Sequence, residues 1–386
     1  MNMTPKRIQE LAEPVEEIYQ KIVDDLLVNI GRHLTGNTTT WTAYWEVQKL
    51  AEMGQLTAEN AAIINRYIRD MPQTLKDTME ATRKQALAGL EEQLAKAAED
   101  GYITPPVSDT VVDVMRQYSE QAADRLNMTN TTMLESSLRM YEQAVGQTAR
   151  RLEDIERRAR DAANTGAGDI ITGAKTRRQV LAETIQRISD AGLTGFCDRA
   201  GRSWTPVAYV NMVMRTTVHN TAIQATRSRM QDYNTQVFQI SSHAGARPLC
   251  YPYQGKFYSW DDTSGEVEDG AGRRIRYEPI SSTSYGEPAG IFGINCGHYP
   301  IPVIPGVTIP HGEDDIEPEA ENKRDYARSQ EQRALERKIR AAKRVVAMGG
   351  AVATDEQRAA VRDAQAKMRA FIAQTGRARR YDREQI

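Results

Sequence analysis

Cysteine is scarce in this chain: Cys197, Cys250 and Cys296 are the whole complement of 386 residues. Three thiols cannot form a disulfide framework, and so sparse a set fits synthesis in a reducing compartment. Aromatic residues are also few, at 6% against 26% charged, a balance that suits long helices better than a sandwich or barrel. No apolar run approaches the roughly 18 residues of a membrane span, so no membrane-spanning segment is expected. The opening MNMTPKRIQELAEP lacks the apolar core of a signal peptide. Nor does one sign of charge prevail: the net charge is −2, which gives the molecule as a whole no evident electrostatic pull on nucleic acid. G-x-S-x-G, the Walker loop and a helix-opening G-x-G-x-x-G are all missing, and with them the common hydrolase and nucleotide-binding signatures.

What the chain does have is helical periodicity. Ile8, Leu11, Val15, Ile18, Ile22, Leu26 and Ile30 recur at steps of three and four, one apolar stripe on a helix that Pro14 either kinks or opens. Thr57 reads as an N-cap, Pro72 as a break, and Gly101 as the end of a helix that begins after that break. Ser108 fits the cap of a helix to about Leu126. A longer helix follows, with Leu134, Leu138, Tyr141, Val145, Leu152 and Ile155 on one face, and Asn164–Gly168 interrupts the pattern. Trp204-Thr-Pro206 opens a helix to about Asp232, with proline in the first turn where its missing N–H costs nothing.

The texture then changes. VFQISS and KFYSW read as strands, residues 261–293 as an irregular excursion, and PIPVIP as extended backbone that three prolines hold out of a helix. After an acidic, proline-containing linker the tail is helical again, with a second tail helix expected from near Thr354 to about Gly376. Residues 321–386 carry 17 Lys and Arg against 9 Asp and Glu, a net of +8 that the near-neutral total conceals. The fold class that follows is mainly α: long amphipathic helices with a small α+β module in the C-terminal half. Three sequential parts are expected: a helical region at 1–198, a compact module at 199–310, and a linker with a basic helical tail at 311–386.

Two turn-rich segments of the module collect chemistry. His243 and Cys250 stand seven apart, and Cys296 and His298 stand two apart some fifty residues on. Thiolate and neutral imidazole are both zinc ligands, and four of them would close a structural site with no position left for a water nucleophile. The other readings stay open: buried cysteines acting as small hydrophobes beside hydrogen-bonded histidines, a Cys250–Cys296 disulfide, or a reactive thiol. A Cys- or metal-dependent hydrolase or transferase centred on Cys250 would have His243, His298 or His219 as its base, but no recognisable spacing completes a triad. His219 shares a helix face with Arg215, and the pair either reaches toward the His243 turn or belongs to an ordinary helix surface. His33 and His311 have no neighbours in sequence that suggest a site. In the tail, Arg337, Lys338, Arg340, Lys343, Arg344, Arg377, Arg379 and Arg380 are candidates for contacting DNA phosphates without reading sequence.

HAGARPLCYPYQGKFYSW, then GINCGHYPIPVIPG, then YARSQEQRALERKIRAAKR resemble the phage minor capsid protein family and, more distantly, the MuF-type head morphogenesis proteins. LAEPVEEIYQKIVDDLLVNI and WTPVAYVNMVMRTTVHNTA share the likeness, which runs in order over most of the chain. The resemblance implies a virion component, made in the host cytoplasm and placed inside the capsid at the portal vertex. It implies portal and capsid proteins as partners, packaged double-stranded DNA as a further contact, and a part in head assembly, DNA packaging or ejection. It brings no catalytic role for any residue.

Overall fold

A computed structural model describes residues 3–36, 41–104, 106, 111–165, 176–198, 201–310 and 316–386. The expected cap at Ser108, the glycines of the break after Thr165, and His311 with the acidic residues that follow it lie outside that set. Helices dominate, and the strands fall in the C-terminal half.

The first helix, α1, is Pro5–Thr35, and it continues through Pro14. Ile8, Leu11, Val15, Ile22, Leu26 and Ile30 are buried along it as their spacing predicts. Helices α2 (Thr42–Ala51), α3 (Met53–Ile68), α4 (Met71–Leu87) and α5 (Leu90–Glu99) follow. Thr57 is no cap: α3 begins four residues earlier, and the hydroxyl donates back to the Met53 carbonyl at 2.7 Å. The helix expected beyond Pro72 is two helices, because Gly89 takes φ +71° and turns the chain between α4 and α5. The two helices expected across 108–163 are one, α6, Val111–Thr165. Nothing in its NMTNTT stretch breaks a helix, and the Thr132 hydroxyl bonds to the Met128 carbonyl within the turn. Helix α7 (Arg177–Ala191) starts on a capping box in which Thr176 and Gln179 satisfy each other's backbone. Helix α8 is Pro206–Asp232, and α9 (Glu319–Gly349) and α10 (Asp355–Thr375) form the tail.

Strands β1 (Phe196–Cys197) and β2 (Ser203–Trp204) make a small hairpin. Strands β3 (Val237–Ile240), β4 (Phe257–Ser259), β5 (Gly265–Glu268), β6 (Arg274–Pro279) and β7 (Pro300–Pro302) form one sheet in the order β5-β6-β4-β3-β7. All pairs in it are antiparallel except β4 with β6. The β5–β6 hairpin corrects the expectation of an irregular excursion at 261–293. Its strands, GEVE and RIRYEP, are charged and half-exposed, so they lack the apolar alternation that announces a strand.

The described residues fall into two compact units, each drawing on all three sequential parts of the chain. The first comprises 1–17, 70–127 and 210–330. Its sheet packs against α8, with Ile223 and Met230 of that helix in one cluster with Phe238, Ile240, Tyr258, Trp260, Ile280, Ile291 and Phe292. Cys250 and Cys296 belong to this cluster. A second core in the unit joins Leu87, Leu90 and Leu94 to Val111, Ala225, Tyr233 and Ile304. Between the two, α8 is buried around much of its circumference, which puts polar residues such as Thr217, His219 and Thr221 inside as well. The other unit comprises 18–69, 128–209 and 331–386. Ile339, Met368 and Phe371 make its tail core. A polar chain crosses its helices, where buried Asn60 accepts from Asn29 at 3.0 Å and donates to Ser137 at 3.0 Å.

Candidate metal centre

Two turns of the first unit meet at the cysteines. The turn from His243 to Cys250 is held by Asn322 of α9, whose amide accepts from the Ala246 N–H at 2.6 Å and donates to its carbonyl at 2.7 Å. The turn from Gly290 to Cys296 is tight enough to put Phe292 and Asn295 in the left-handed region, with φ of +59° and +58°. Arg247 ties one turn to the other, donating to the Ile294 carbonyl at 2.9 Å and to the Gly290 carbonyl at 3.4 Å.

At the junction Cys250 Sγ lies 3.8 Å from Cys296 Sγ, and Cys296 Sγ lies 3.4 Å from His298 Nδ1. The three ligand atoms are within 4.8 Å of one another, and all three side chains are buried. His243 stands beside this trio rather than in it: its ring is 4.3 Å from that of His298. Gly297 leaves room for the His243 ring, since a Cβ there would come within 2.9 Å of His243 Nε2 and 2.8 Å of Pro5 Cγ. Thus three of the four residues singled out in the sequence converge, and the fourth adjoins them.

The surroundings fix each group. Gln254 is buried, and its Oε1 sits 3.2 Å from His298 Nε2 while accepting the His243 N–H at 2.8 Å. That bond assigns the Nε2–H tautomer to His298 and leaves the Nδ1 lone pair directed at sulfur. His243 Nδ1 is 3.0 Å from the Ala244 carbonyl, which leaves the lone pair on its Nε2. That nitrogen is buried and finds no hydrogen-bond partner among the described residues. Both sulfurs receive N–H groups, Cys296 from the Phe292 backbone at 3.3 Å and Cys250 from Arg247 at 3.6 Å. His219 of α8 does reach this site: its Nε2 donates to the His298 carbonyl at 2.5 Å.

The electrostatics favour neutral rings. Burial pulls the His219 imidazole down to about 4, and burial likewise lowers His243. His298 falls well below its ordinary value through burial, with His243, His219 and Arg247 adding to the effect. Of the thiols, Cys250 is drawn down by its Cys296 contact and by Arg247, while the same contact and burial push Cys296 up. Gln254, Arg247, Asn322 and His219 complete the site, and no spacing in the sequence assigns the first three to it.

His33, which has no suggestive neighbours in sequence, lies between two carboxylates of the other unit: Nδ1 is 3.2 Å from Glu52 and Nε2 is 2.9 Å from Glu59. Among the tail cations Arg337 and Lys338 are exposed. The other six candidates are engaged within the unit. Arg340 donates to the Arg383 carbonyl, Lys343 to Gln385 at 2.8 Å, and Arg377 to Gln332 at 2.8 Å. Arg344 pairs with Asp24 at 2.8 Å, Arg379 with Glu384 at 2.6 Å, and Arg380 with Asp382 at 3.2 Å.

Long helices and a small mixed sheet, with a buried Cys/His junction between two turns, make up the described residues. Residues 3–373 match the family model described as phage minor capsid protein 2, and the chain belongs to that family. It is 27% identical over 381 residues to a protein named structural protein from Lactococcus phage LL-H, with 93% of each chain covered. No solved structure matches it. Family membership makes it a virion component, and no helix among the described residues is long and apolar enough to cross a membrane.

Proposed function

We propose that the protein is a non-catalytic minor capsid component that binds other virion proteins at the portal vertex, inside the capsid, and serves head assembly, DNA packaging or ejection. In this reading 1–198 is the helical region, 199–310 the α+β module and 311–386 the linker and basic tail. The observation that carries it is the outer face of α2. That helix buries Trp45 and Lys49 on one side, while Trp41, Tyr44, Val47 and Leu50 stand exposed at steps of three on the other. Isolated exposed apolar residues are ordinary, but a row including Trp and Tyr is the composition of a protein–protein contact. Portal and capsid proteins are the partners that a virion component meets. The non-catalytic part rests on burial: Cys250 is 0% and Cys296 3% exposed, so neither sulfur meets a substrate.

The test is phage growth with a Trp41→Ser/Val47→Ser variant, with copies per particle counted by quantitative mass spectrometry and neighbours mapped by cross-linking. A Trp anchor contributes about 2 kcal/mol, so incorporation at limiting expression should fall roughly thirtyfold. The purified variant should melt as the parent does. Unchanged incorporation, or cross-links to the shell alone, would overturn the portal assignment. Turnover abolished by Cys250→Ser would overturn the non-catalytic one. A second reading, phosphate contact by the tail, is favoured by the exposure of Arg337 and Lys338 and narrows to those two of the eight candidates.

A further inference from the structure

We infer that Cys250, Cys296, His298 and His243 bind one zinc ion as a Cys2His2 site that joins the two turns of the module. The distances carry the assignment. Zinc–sulfur bonds of ~2.3 Å at tetrahedral angles separate two sulfurs by ~3.8 Å, and with a zinc–nitrogen bond of ~2.0 Å they separate sulfur from nitrogen by ~3.5 Å. The structure has 3.8 Å between the sulfurs and 3.4 Å between Cys296 Sγ and His298 Nδ1. Two edges of the tetrahedron therefore match, and all three ligand atoms lie within 4.8 Å of one another. A disulfide would instead need the sulfurs at ~2.05 Å, and buried thiols acting as hydrophobes need no imidazole lone pair aimed at them.

The fourth ligand is assigned to His243, which lies outside the group of atoms within 4.8 Å and turns its ring onto the ion when it binds. Its Nε2 is buried, without a partner among the described residues, and its ring is packed 4.3 Å from that of His298. The Nδ1 bond to the Ala244 carbonyl already selects the tautomer in which Nε2 accepts. Gln254 and His219 are positioning residues. The first holds the far nitrogen of His298 and the backbone of His243; the second holds the His298 carbonyl. The N–H groups of Phe292 and Arg247 at the sulfurs stabilise thiolate charge in the same way.

Charge and protons balance. Each thiol releases one proton to solvent on binding, both histidines enter neutral, and two thiolates cancel the double charge of the ion. A neutral cluster suits a position inside an aromatic core, where an uncompensated thiolate would be expensive. With four protein ligands the ion has no open position, so it braces the module and activates no water. The assignment rests on this site alone and stands independently of where in the virion the protein sits.

The experiment uses the full-length chain, purified under reductant without chelator. Zinc is counted by elemental analysis, and the metal-free chain is then titrated with Co2+ and followed by absorption. One zinc per chain is expected. The Co2+ form should show intense visible d–d bands of a tetrahedral ion and near-ultraviolet sulfur-to-cobalt charge transfer. Cys296→Ser should reduce that charge transfer. His243→Ala should keep sulfur-to-cobalt transfer but bind at least ~10-fold more weakly, and Gln254→Ala should weaken binding by ~10- to 100-fold. Little zinc in the parent protein together with a Co2+ titration free of sulfur charge transfer overturns the site, and neither measurement depends on a variant folding. Unchanged affinity and spectrum in His243→Ala overturn the fourth ligand.

Discussion

Lys49 is an ammonium that water barely reaches, at 1% exposed, and its compensation comes from Glu52, whose two oxygens both lie 3.1 Å from Nζ. Glu52 also faces His33, and the Lys49 carbonyl accepts from the Tyr141 hydroxyl at 3.1 Å, so one acidic residue serves two basic neighbours inside a helical unit. Removing its charge leaves Lys49 buried without a carboxylate. For a fully buried pair such a loss costs about 3–5 kcal/mol, and partial solvent access at Glu52 lowers the expectation to about 2 kcal/mol for Glu52→Gln. Chemical denaturation measures it. Lys49→Met in the same background should restore most of the loss, because the unpaired charge goes with the side chain. A loss below about 0.5 kcal/mol, within the range of ordinary surface substitutions, would show that the pair contributes little. The Cys/His knot was legible at this scale, since cysteine and histidine are rare enough that two short segments holding both stand out. Gln254, Asn322 and His33 were not: a single polar residue has no periodicity, and only folding decides what it faces.

The long helices were legible as elements because their buried side chains repeat at steps of three and four; α8 begins at the proline that predicts it, and α10 begins and ends at the threonine and glycine that predict it. The β5–β6 hairpin escaped because half-exposed charged strands carry no such repeat. Contacts between helices lie beyond sequence altogether, and Gly31 shows why. It sits within the apolar stripe of α1 and reads as a weak point in a helix, worth about 1 kcal/mol against alanine. In the folded unit it is where α1 meets α9: a Cβ there would overlap the backbone carbonyl of Met348. The propensity argument therefore gives the wrong sign. Gly31→Ala should destabilise the unit by about 1–3 kcal/mol, the usual cost of overpacking against backbone that cannot yield. Thermal denaturation decides between the two, and a stabilised variant would mean that the helices separate at no cost.

Across the whole molecule the two compact units are assembled from interleaved segments, and the order of elements along the chain does not announce that grouping. The same holds for charge. A net of +8 over residues 321–386 suggests a tail that tracks DNA, yet six of the eight singled-out cations have carboxylates, carbonyls or amides of their own unit as partners. If Arg337 and Lys338 each neutralise one DNA phosphate, replacing both with Gln should flatten the slope of log K against log salt by about 1.8, at ~0.9 per contact on duplex DNA. Affinity should fall alike for any sequence, since phosphate contacts read none. Deleting the tail would be a poorer test, because Asn322 of α9 holds the 243–250 turn and the truncation would disturb the module as well. Duplex binding followed by anisotropy across a salt series, with the full-length chain and the Arg337→Gln/Lys338→Gln variant, gives both slopes. Identical slopes, or no binding by the parent protein at low salt, would leave the tail as a packing element whose arginines serve the fold and not the genome.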